Sequence, residues 1–259
     1  MGITEQFQTY FRFRVAHDES LREECARLRY QVYAQELSWE RQNLKRLEQD
    51  QFDPVSIHCL LEHIPSGTFA GTVRLVFPSE SSSGGQLLLP LELLCQEVRS
   101  LRAQGLPGHL DAEISRLAVP MQYRRRGFET GTEDGDSGGT GNNVTSLDAR
   151  SRQFPLIAIG LYLGLIAVSK RIRLNRVFAL MEPRLQMRLG RLGLKFDALS
   201  EGVDHKGHRV PYRIPVSTVT TSLTTEMGRL YQWIDGQLDS ESLSKGLPEG
   251  TPLECRMAG

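Results

Sequence analysis

Apolar residues recur along the chain with two different periods, one typical of strands and one typical of helices. In 11–15, Phe11, Phe13 and Val15 alternate with two arginines, which predicts a first strand. Further strands are predicted at 56–62, 68–77, 110–119 and 176–181, followed by a strand, a turn and a strand within 195–215. Helices are predicted at 21–32, 87–102, 155–173, 182–194 and 218–238. This order predicts an α/β fold with a mixed central sheet flanked by helices.

Composition excludes several classes of protein. With 259 residues, of which 39% are apolar, the chain is long enough for one large domain. Its 31 basic and 31 acidic residues cancel, so no overall field favours nucleic acid or an anionic membrane. The four cysteines lack paired spacing, and the apolar run 154–168 is too short to span a bilayer. We therefore expect a reduced, cytoplasmic protein with no secretory signal and no transmembrane segment.

The same patterns divide the chain into a main domain and a tail. We expect the domain to cover 1–216, with a flexible Gly/Ser-rich insertion at about 128–150. Residues 217–259 are expected to form a C-terminal helix and a disordered tail. The segment 35–53 lacks a clear period and predicts a long loop.

The most informative stretch runs from Leu110 to Gly127. Alternation predicts that one face of this strand carries Ala112, Ile114, Arg116 and Ala118, and the other Glu113, Ser115, Leu117 and Val119. The spacing V-x-x-x-x-R-x-x-G, formed by Val119, Arg124 and Gly127, resembles half of the pyrophosphate-binding motif of the GNAT acyltransferase superfamily. A solvated arginine run after a strand is the alternative. We expect the strand to separate from its neighbour after Val119, which would leave a slot for pantetheine.

Other segments make the resemblance more specific. LRYQVYAQE (28–36), EQDQFD (48–53), GTVRL (71–75) and EISRLAV (113–119) together resemble the autoinducer-synthase branch of that superfamily. This branch contains acyl-homoserine-lactone synthases and N-acyl amino acid synthases. FALMEPRLQMRLGRLG and GHRVPY extend the resemblance to acyltransferases associated with PEP-CTERM and exosortase systems. The resemblance implies a GNAT-like (acyl-CoA N-acyltransferase) fold.

The resemblance also implies a charged site. The residues that match the family's charged constellation are Arg29, Asp50, Asp53, Arg74, Glu113 and Arg116, and Trp39 matches its aromatic loop residue. Glu113 and Arg116 are the candidate catalytic residues, with Glu113 as the base that deprotonates an amine. An ion pair of Glu113 with Arg74 or Arg116 is the alternative. Candidate substrate-binding residues are Arg29, Trp39, Asp50, Asp53 and Arg74, although the two aspartates could instead pair with arginines and order the loop.

Donor binding is assigned to the basic turn. Val119, Arg124, Arg125, Arg126 and Gly127 are expected to hold the phosphate of a pantetheine arm. Because Gly127 leads into the long insertion rather than directly into a helix, this turn counts against CoA but not against an acyl-carrier protein, whose pantetheine needs fewer phosphate contacts. Basic residues for such a partner are Arg150, Arg152, Lys170, Arg171 and Arg173, unless they only cap a helix. An acyl channel is expected from 156–168 with Phe178, Leu180 and Met181, which could equally be core.

These assignments predict an N-acyltransferase. It would move a medium or long acyl chain from acyl-carrier protein, or from acyl-CoA, to the amine of a small metabolite such as an amino acid. No tightly bound cofactor is expected, and no metal, because His205 and His208 lack a third ligand with recognisable spacing. The alternatives are homoserine-lactone synthesis from S-adenosylmethionine and a non-catalytic module that binds acyl-carrier protein.

Overall fold

The chain folds around a mixed eight-stranded sheet with helices on both faces, in a computed structural model that describes residues 2–80, 87–104, 110–124 and 153–249. The strands are β1 (Phe11–Val15), β2 (Ser56–His63), β3 (Thr68–Val76), β4 (Ser79–Glu80), β5 (Leu87–Leu88), β6 (Asp111–Ala118), β7 (Arg176–Met181), β8 (Asp197–Ala198), β9 (Val203–Asp204) and β10 (His208–Pro215). The helices are α1 (Ile3–Tyr10), α2 (Glu19–Tyr30), α3 (Gln96–Ala103), α4 (Met121–Arg124), α5 (Gln153–Arg171), α6 (Pro183–Arg191), α7 (Val216–Ser222), α8 (Thr225–Gln237) and α9 (Ser240–Gly246). Shorter helical turns lie at Gln31–Glu36, Asp53–Val55, Ile64–Ser66 and Pro90–Leu93.

Sheet topology places one parallel pair in an otherwise antiparallel sheet. The strand order is β1-β2-β3-β6-β7-β10-β8, with β9 paired to β10, while β4 and β5 form a separate ribbon. Among the described strands, only the β6–β7 pair of the main sheet is parallel. The predicted mixed α/β architecture is confirmed, as are the strands that alternation predicted at 11–15 and 176–181.

One face of the sheet is covered by α5. Leu161, Leu163, Leu165 and Ile166 of this helix are completely buried, because the helix is apolar on all sides and packs between the sheet and α8. The helix predicted at 155–173 is confirmed. Among the described residues, no helix is both long and apolar enough to cross a membrane.

The opposite face carries α2, the Pro90–Leu93 turn and α3. Asp18 caps the N-terminus of α2, since its side chain accepts a hydrogen bond from the Leu21 N–H. Phe178 of β7 packs here in a small cluster with the buried side chains Leu89, Leu91, Cys95 and Val98. This face also holds the charged residues of the candidate site.

Three sequence predictions differ from the structure. The helix predicted at 87–102 is a strand, a turn and a short helix, because Pro90 restricts the backbone before it; Leu94 and Leu101 are exposed rather than buried. The helix predicted at 218–238 is broken at Leu223, whose backbone is extended. Helix α9 lies where a disordered tail was expected, and helix α1 was missed. The predicted insertion at 128–150 and the last ten residues, 250–259, lie outside the described residues.

Two glycines on α5 allow aromatic rings to approach its backbone. The ring of Phe7 packs against Gly160 and the ring of Phe13 packs against Gly164, so closely that a Cβ at either glycine would overlap the ring. Both rings are buried in the main core, which leaves them little room to move. These contacts fix the distance between α5 and the edge of the sheet.

We predict that Gly164→Ala lowers the free energy of unfolding by about 1–3 kcal/mol, because the overlap with Phe13 outweighs the better helix propensity of alanine. Chemical denaturation monitored by circular dichroism measures this change. Gly228→Ala on α8 is the matched control, since a Cβ there meets nothing within 4 Å. The control should be neutral or stabilising by up to about 1 kcal/mol, and equal losses in both variants would contradict the packing argument.

Candidate active site

A slot opens in the sheet where β6 and β7 separate. Their parallel pairing ends at Ile114 and Ala179, although β6 continues to Ala118 and β7 to Met181. The separation therefore starts earlier than the predicted point after Val119. A cavity of about 470 Å³ occupies this position. Its wall includes side chains from both faces of the sheet, so the cavity passes between the two strands.

A β-bulge distorts β6 next to the slot. Thr72 of β3 pairs with Ala118, whereas Arg74 pairs with Ser115, so two steps on β3 correspond to three on β6. Arg116 has a φ of 54°, in the left-handed region. The bulge breaks the alternation and places the Arg116 side chain in the charged cluster with Arg74, not on the face of Ala112 and Ile114 as predicted. Regular alternation was the wrong assumption for this residue.

Glu113 lies on the cavity wall in the last paired part of β6. Its side chain is 3% exposed, and one carboxyl oxygen accepts a hydrogen bond of 2.7 Å from the Leu91 N–H. Among the described residues, no arginine forms an ion pair with Glu113, so the predicted alternative of pairing with Arg74 or Arg116 is not observed. Burial raises the pKa of Glu113 to about 8. The hydrogen bond from the Leu91 N–H and the charges of Arg74 and Arg116 lower this pKa, but by less.

Three arginines and three carboxylates form a charge cluster beside the cavity. The cluster consists of Arg29, Arg74, Arg116, Glu48, Asp50 and Asp53. Arg74 binds both oxygens of Asp50 at 2.7 and 2.8 Å, and it also reaches Asp53 at 2.7 Å. Arg29, which is 2% exposed, binds both oxygens of Asp53. The cluster is neutral overall, which is what burial of so many charges requires.

Arg116 completes this cluster from the bulge. Its Nε lies 3.0 Å from Glu48 and a terminal nitrogen lies 3.0 Å from Asp50. Glu48 was not singled out in the sequence, although it is the first residue of the quoted segment EQDQFD. Its proximity to Arg116 depends on the conformation of the loop, and the loop sequence has no periodic pattern that would predict this conformation.

The two aspartates are fully engaged within the cluster. Each oxygen of Asp50 and of Asp53 already accepts two hydrogen bonds, from arginines or from backbone N–H groups. Burial raises the pKa of Asp53, but the hydrogen bonds and charges of Arg29 and Arg74 outweigh it and hold the pKa well below its usual range. Neither aspartate lines the cavity, and neither do Arg29 and Arg74. This geometry favours loop ordering for these four residues.

Trp39 is the predicted substrate-binding residue that does line the cavity. Its ring stacks on Tyr33 with 5.9 Å between centroids, and the Tyr33 hydroxyl donates to the Leu117 carbonyl at 2.8 Å. The guanidinium of Arg116 lies 6.0 Å from the centre of the Tyr33 ring. Tyr33 was missed as a site residue because an aromatic at helical spacing also fits a core position.

The predicted phosphate-binding turn is occupied by a carboxylate of the protein. Val119 and Arg124 line the cavity, as predicted. Arg124 pairs with Glu36, and Glu36 also accepts hydrogen bonds of 3.0 and 2.9 Å from the Met121 N–H. The turn therefore holds an anion with a guanidinium and a backbone N–H, the groups that phosphate binding uses. Arg125, Arg126 and Gly127 lie outside the described residues.

The predicted acyl channel is only partly on the cavity wall. Of helix 156–168, Ala158 and Tyr162 line the cavity and the other side chains are core; Leu180 and Met181 line it as well. Phe178 packs in the separate cluster with Leu91 and is not part of the wall. Fewer of the predicted channel residues line the cavity than the sequence suggested.

The predicted basic surface is also placed differently. Arg171 pairs with Asp235 at 2.7 Å and Lys170 lies 3.5 Å from Thr220, so both hold the C-terminal helices. Arg173 lies in the turn after α5, and Arg150 and Arg152 fall outside the described residues. The exposed cations beside the cavity are instead Arg184 and Arg188 of α6.

Known proteins with the same fold include acyl-homoserine-lactone synthases and an N-acyl amino acid synthase. The acyl-homoserine-lactone synthase LasI is 16% identical, with a TM-score of 0.55 over 83% of this chain and 95% of LasI. The CoA-dependent acyl-homoserine lactone synthase BjaI, solved with S-adenosylmethionine and isopentyl-CoA, is 15% identical, with a TM-score of 0.55 over 95% of this chain and 96% of BjaI. FeeM, an N-acyl amino acid synthase from uncultured soil microbes, is 13% identical, with a TM-score of 0.51 over 82% of this chain and 94% of FeeM.

Sequence comparison gives a family match over part of the chain. Residues 28–132 match the family model described as an acetyltransferase (GNAT) domain, and no curated protein matches the sequence. The matched residues include the charge cluster, the bulge and Glu113. These residues are therefore similar to a GNAT domain, and this match and the shared fold together support an acyltransferase.

Proposed function

We propose that this protein is an N-acyltransferase that moves a medium or long acyl chain from acyl-carrier protein, or from acyl-CoA, to the amine of an amino acid. The observation that carries the proposal is Glu113, a buried carboxyl group with a raised pKa, on the wall of the slot between β6 and β7. A base with a pKa near the working pH suits the removal of a proton from an amine. The shared fold with acyl-homoserine-lactone and N-acyl amino acid synthases supports it.

The proposed reaction is a direct attack within a ternary complex. Glu113, once ionised, takes a proton from the acceptor ammonium, and the amine nitrogen then attacks the thioester carbonyl carbon. A C–N bond forms, the C–S bond breaks, and the second amine proton leaves with the thiolate, which becomes the free thiol. Arg116, the other predicted catalytic residue, lies on the same wall, but Glu48 and Asp50 already pair with it, so a role in stabilising the oxyanion stays a prediction.

The slot suits the pantetheine arm of the donor. Beyond Ile114 and Ala179 the two strands no longer pair with each other, so backbone groups on the facing edges are available to the amides of pantetheine. No tightly bound cofactor is needed for this step, because the acyl thioester is a co-substrate.

The surface of α6 suits a carrier protein as donor. Arg184, Arg188 and Arg191 are exposed and recur at helical spacing, and none of them has a carboxylate partner among the described residues. Two of them reach the cavity wall. Acidic helices of an acyl-carrier protein would complement this stripe and steer the donor towards the cavity.

The charge cluster has a supporting role in this proposal. Its ion pairs join loop 37–53 to α2 and to β3. The loop that carries Trp39 to the cavity wall is therefore held in place. Acceptor binding by Asp50 and Asp53 stays a prediction. A cytoplasmic location and membership of the exosortase-associated group also stay predictions from the sequence, and the reaction does not depend on them.

We predict that Glu113→Gln lowers kcat about 10²- to 10⁴-fold, the usual contribution of a general base. In the parent protein the rate should rise with pH through about 8, where Glu113 ionises, and this rise should be absent from the residual rate of the variant. The rate is measured by mass spectrometry of the N-acyl products, with a long-chain acyl-carrier protein as donor and a mixture of amino acids and S-adenosylmethionine as acceptors. Glu201→Gln, which removes an exposed carboxylate outside the cavity wall, is the control.

A second readout checks the ionisation state of Glu113. Because its pKa in the fold lies above the ordinary value of about 4.3, its contribution to stability is complete below that value and is lost as pH rises through about 8. The free energy of unfolding of the parent should therefore fall more steeply from pH 6 to pH 9 than that of Glu113→Gln. Equal slopes in denaturation curves would show that Glu113 is not held neutral.

We predict that reversing the charges of Arg184, Arg188 and Arg191 to glutamate lowers kcat/KM for an acyl-carrier donor about 10- to 100-fold, with the loss reduced at high salt. The loss should be smaller for an acyl-pantetheine donor, which lacks the protein surface. Steady-state kinetics at two ionic strengths measures this. Arg229→Glu on α8 is the control, since this exposed residue lies on a helix that does not line the cavity. An unchanged rate in the triple variant would exclude α6 as the donor surface.

We predict that Asp53→Asn lowers the free energy of unfolding by about 3–5 kcal/mol at neutral pH, because it leaves two buried arginines underpaired. Asp50→Asn should cost less, since Arg116 keeps Glu48 and Arg74 keeps Asp53. The depressed pKa of Asp53 means that its contribution is lost as pH falls below about 4. Urea denaturation at pH 7 and at about pH 2 measures both effects. Asp204→Asn, at an exposed position, should change stability by less than about 0.5 kcal/mol.

A further inference from the structure

Three of the six cations on the described part of the cavity wall form short ion pairs with carboxylates. Among the described residues, the lysines and arginines that line the cavity are Arg116, Arg124, Arg184, Arg188, Lys206 and Arg209. Arg116 binds Glu48 and Asp50, Arg124 binds Glu36, and Lys206 binds Glu40. Arg184 and Arg188 are exposed at the rim on α6. Arg209 of β10 differs from both groups.

Arg209 is held in a fixed orientation, and its terminal nitrogens make one long ion pair, with Glu182, but no hydrogen bond to a described residue. Its side chain is only 18% exposed, its Nε donates to the His205 carbonyl at 2.9 Å, and its guanidinium lies 5.4 Å from the centre of the Trp39 ring. The nearest carboxylate, Glu182, is 3.6 Å away and half exposed, beyond hydrogen-bond distance. Neither terminal nitrogen donates a hydrogen bond to any other described residue. An oriented guanidinium with free donors is suited to a planar anion.

Aromatic contacts connect Arg209 to the catalytic strand. Arg209 stacks on Trp39, Trp39 stacks on Tyr33 at 5.9 Å, and Tyr33 lies under Arg116 at 6.0 Å. All four side chains line the same cavity as Glu113. A molecule in this cavity therefore meets a base at one part of the wall and an available guanidinium at another.

We propose that Arg209 binds the carboxylate of the amino-acid acceptor and so sets the acceptor class, an inference that rests on the proposed N-acyltransferase function. Once Glu113 ionises, an acceptor carboxylate would be repelled from the cavity unless a cation offset it. Arg209 supplies that cation with two parallel N–H donors. Amines without a carboxylate leave the guanidinium unpaired and lose this contribution.

The test compares acceptors that differ only in the carboxylate. The full chain is incubated with a long-chain acyl-carrier protein and with leucine, leucinamide or 3-methylbutylamine, and kcat/KM is measured for each N-acyl product. The parent should favour leucine, and in Arg209→Gln the ratio of leucine to leucinamide should fall about 10- to 100-fold, the usual value of a charged hydrogen bond. Arg209→Lys should retain part of the preference, because it keeps the charge without the fork.

Lys206→Met is the matched control. It removes a cation from the same turn and releases that turn from Glu40, so it reproduces any loosening of the β9–β10 hairpin. The ratio of leucine to leucinamide should stay at the parent value. A fall in this ratio equal to that of Arg209→Gln would show that the hairpin position, not the guanidinium, sets the preference.

The outcomes separate this inference from the proposed function. N-acylation with no preference for leucine in the parent, or with the same preference in Arg209→Gln, overturns the role of Arg209 and leaves the acyltransferase standing. Absence of any N-acyl product overturns the function; calorimetric titration of leucine and leucinamide then decides about Arg209. Leucine binding that disappears in Arg209→Gln supports the site, and unchanged or absent leucine binding overturns it.

Discussion

The separation of β6 from β7 after Ile114 and Ala179 is the constraint on which the candidate site depends. Glu113 lies just before this point, where β6 still pairs with Val76 of β3 and with Phe178 of β7. Its backbone is therefore fixed on both sides, whereas the backbone directly after it borders an open slot. A carboxyl group on a rigid strand next to space for a substrate suits the preorganised catalysis that we propose.

The bulge at Arg116 and the charge cluster together explain why Glu113 keeps an unusual pKa. The bulge places a guanidinium near Glu113, and a free positive charge there would lower the pKa of the carboxyl group. Glu48 and Asp50 instead neutralise Arg116, and Asp50 with Asp53 neutralises Arg74. Burial then dominates the ionisation of Glu113. In this view the acidic loop acts on Glu113 indirectly, because its carboxylates neutralise the arginines near Glu113.

Elements with a clear period could be predicted from the sequence, and local irregularities could not. The hydrophobic pattern alone predicts the strands at 11–15 and 176–181 and the apolar helix α5. Burial of one face, or of all faces, of an element requires such a pattern. The pairing of Arg29 with Asp53 was anticipated as a loop-ordering contact. No periodic pattern in the sequence predicts the left-handed backbone of Arg116. This conformation moves the Arg116 side chain to the opposite face of the strand from the predicted one. Contacts that join distant segments, such as Glu36 with Arg124 or Arg209 with Trp39, depend on the tertiary fold.

The contact of Glu36 with the turn after β6 bears on the choice of donor. Met121 N–H and Arg124 already bind this carboxylate, so a phosphate at the same turn must compete with an anion that is tethered nearby. A tethered group has a high effective concentration, which penalises a free nucleotide donor whose affinity relies on phosphate contacts. A carrier protein gains affinity from its own surface and depends less on that turn. The exposed arginines of α6 provide a complementary surface beside the cavity, so the two features together favour a protein-bound acyl donor.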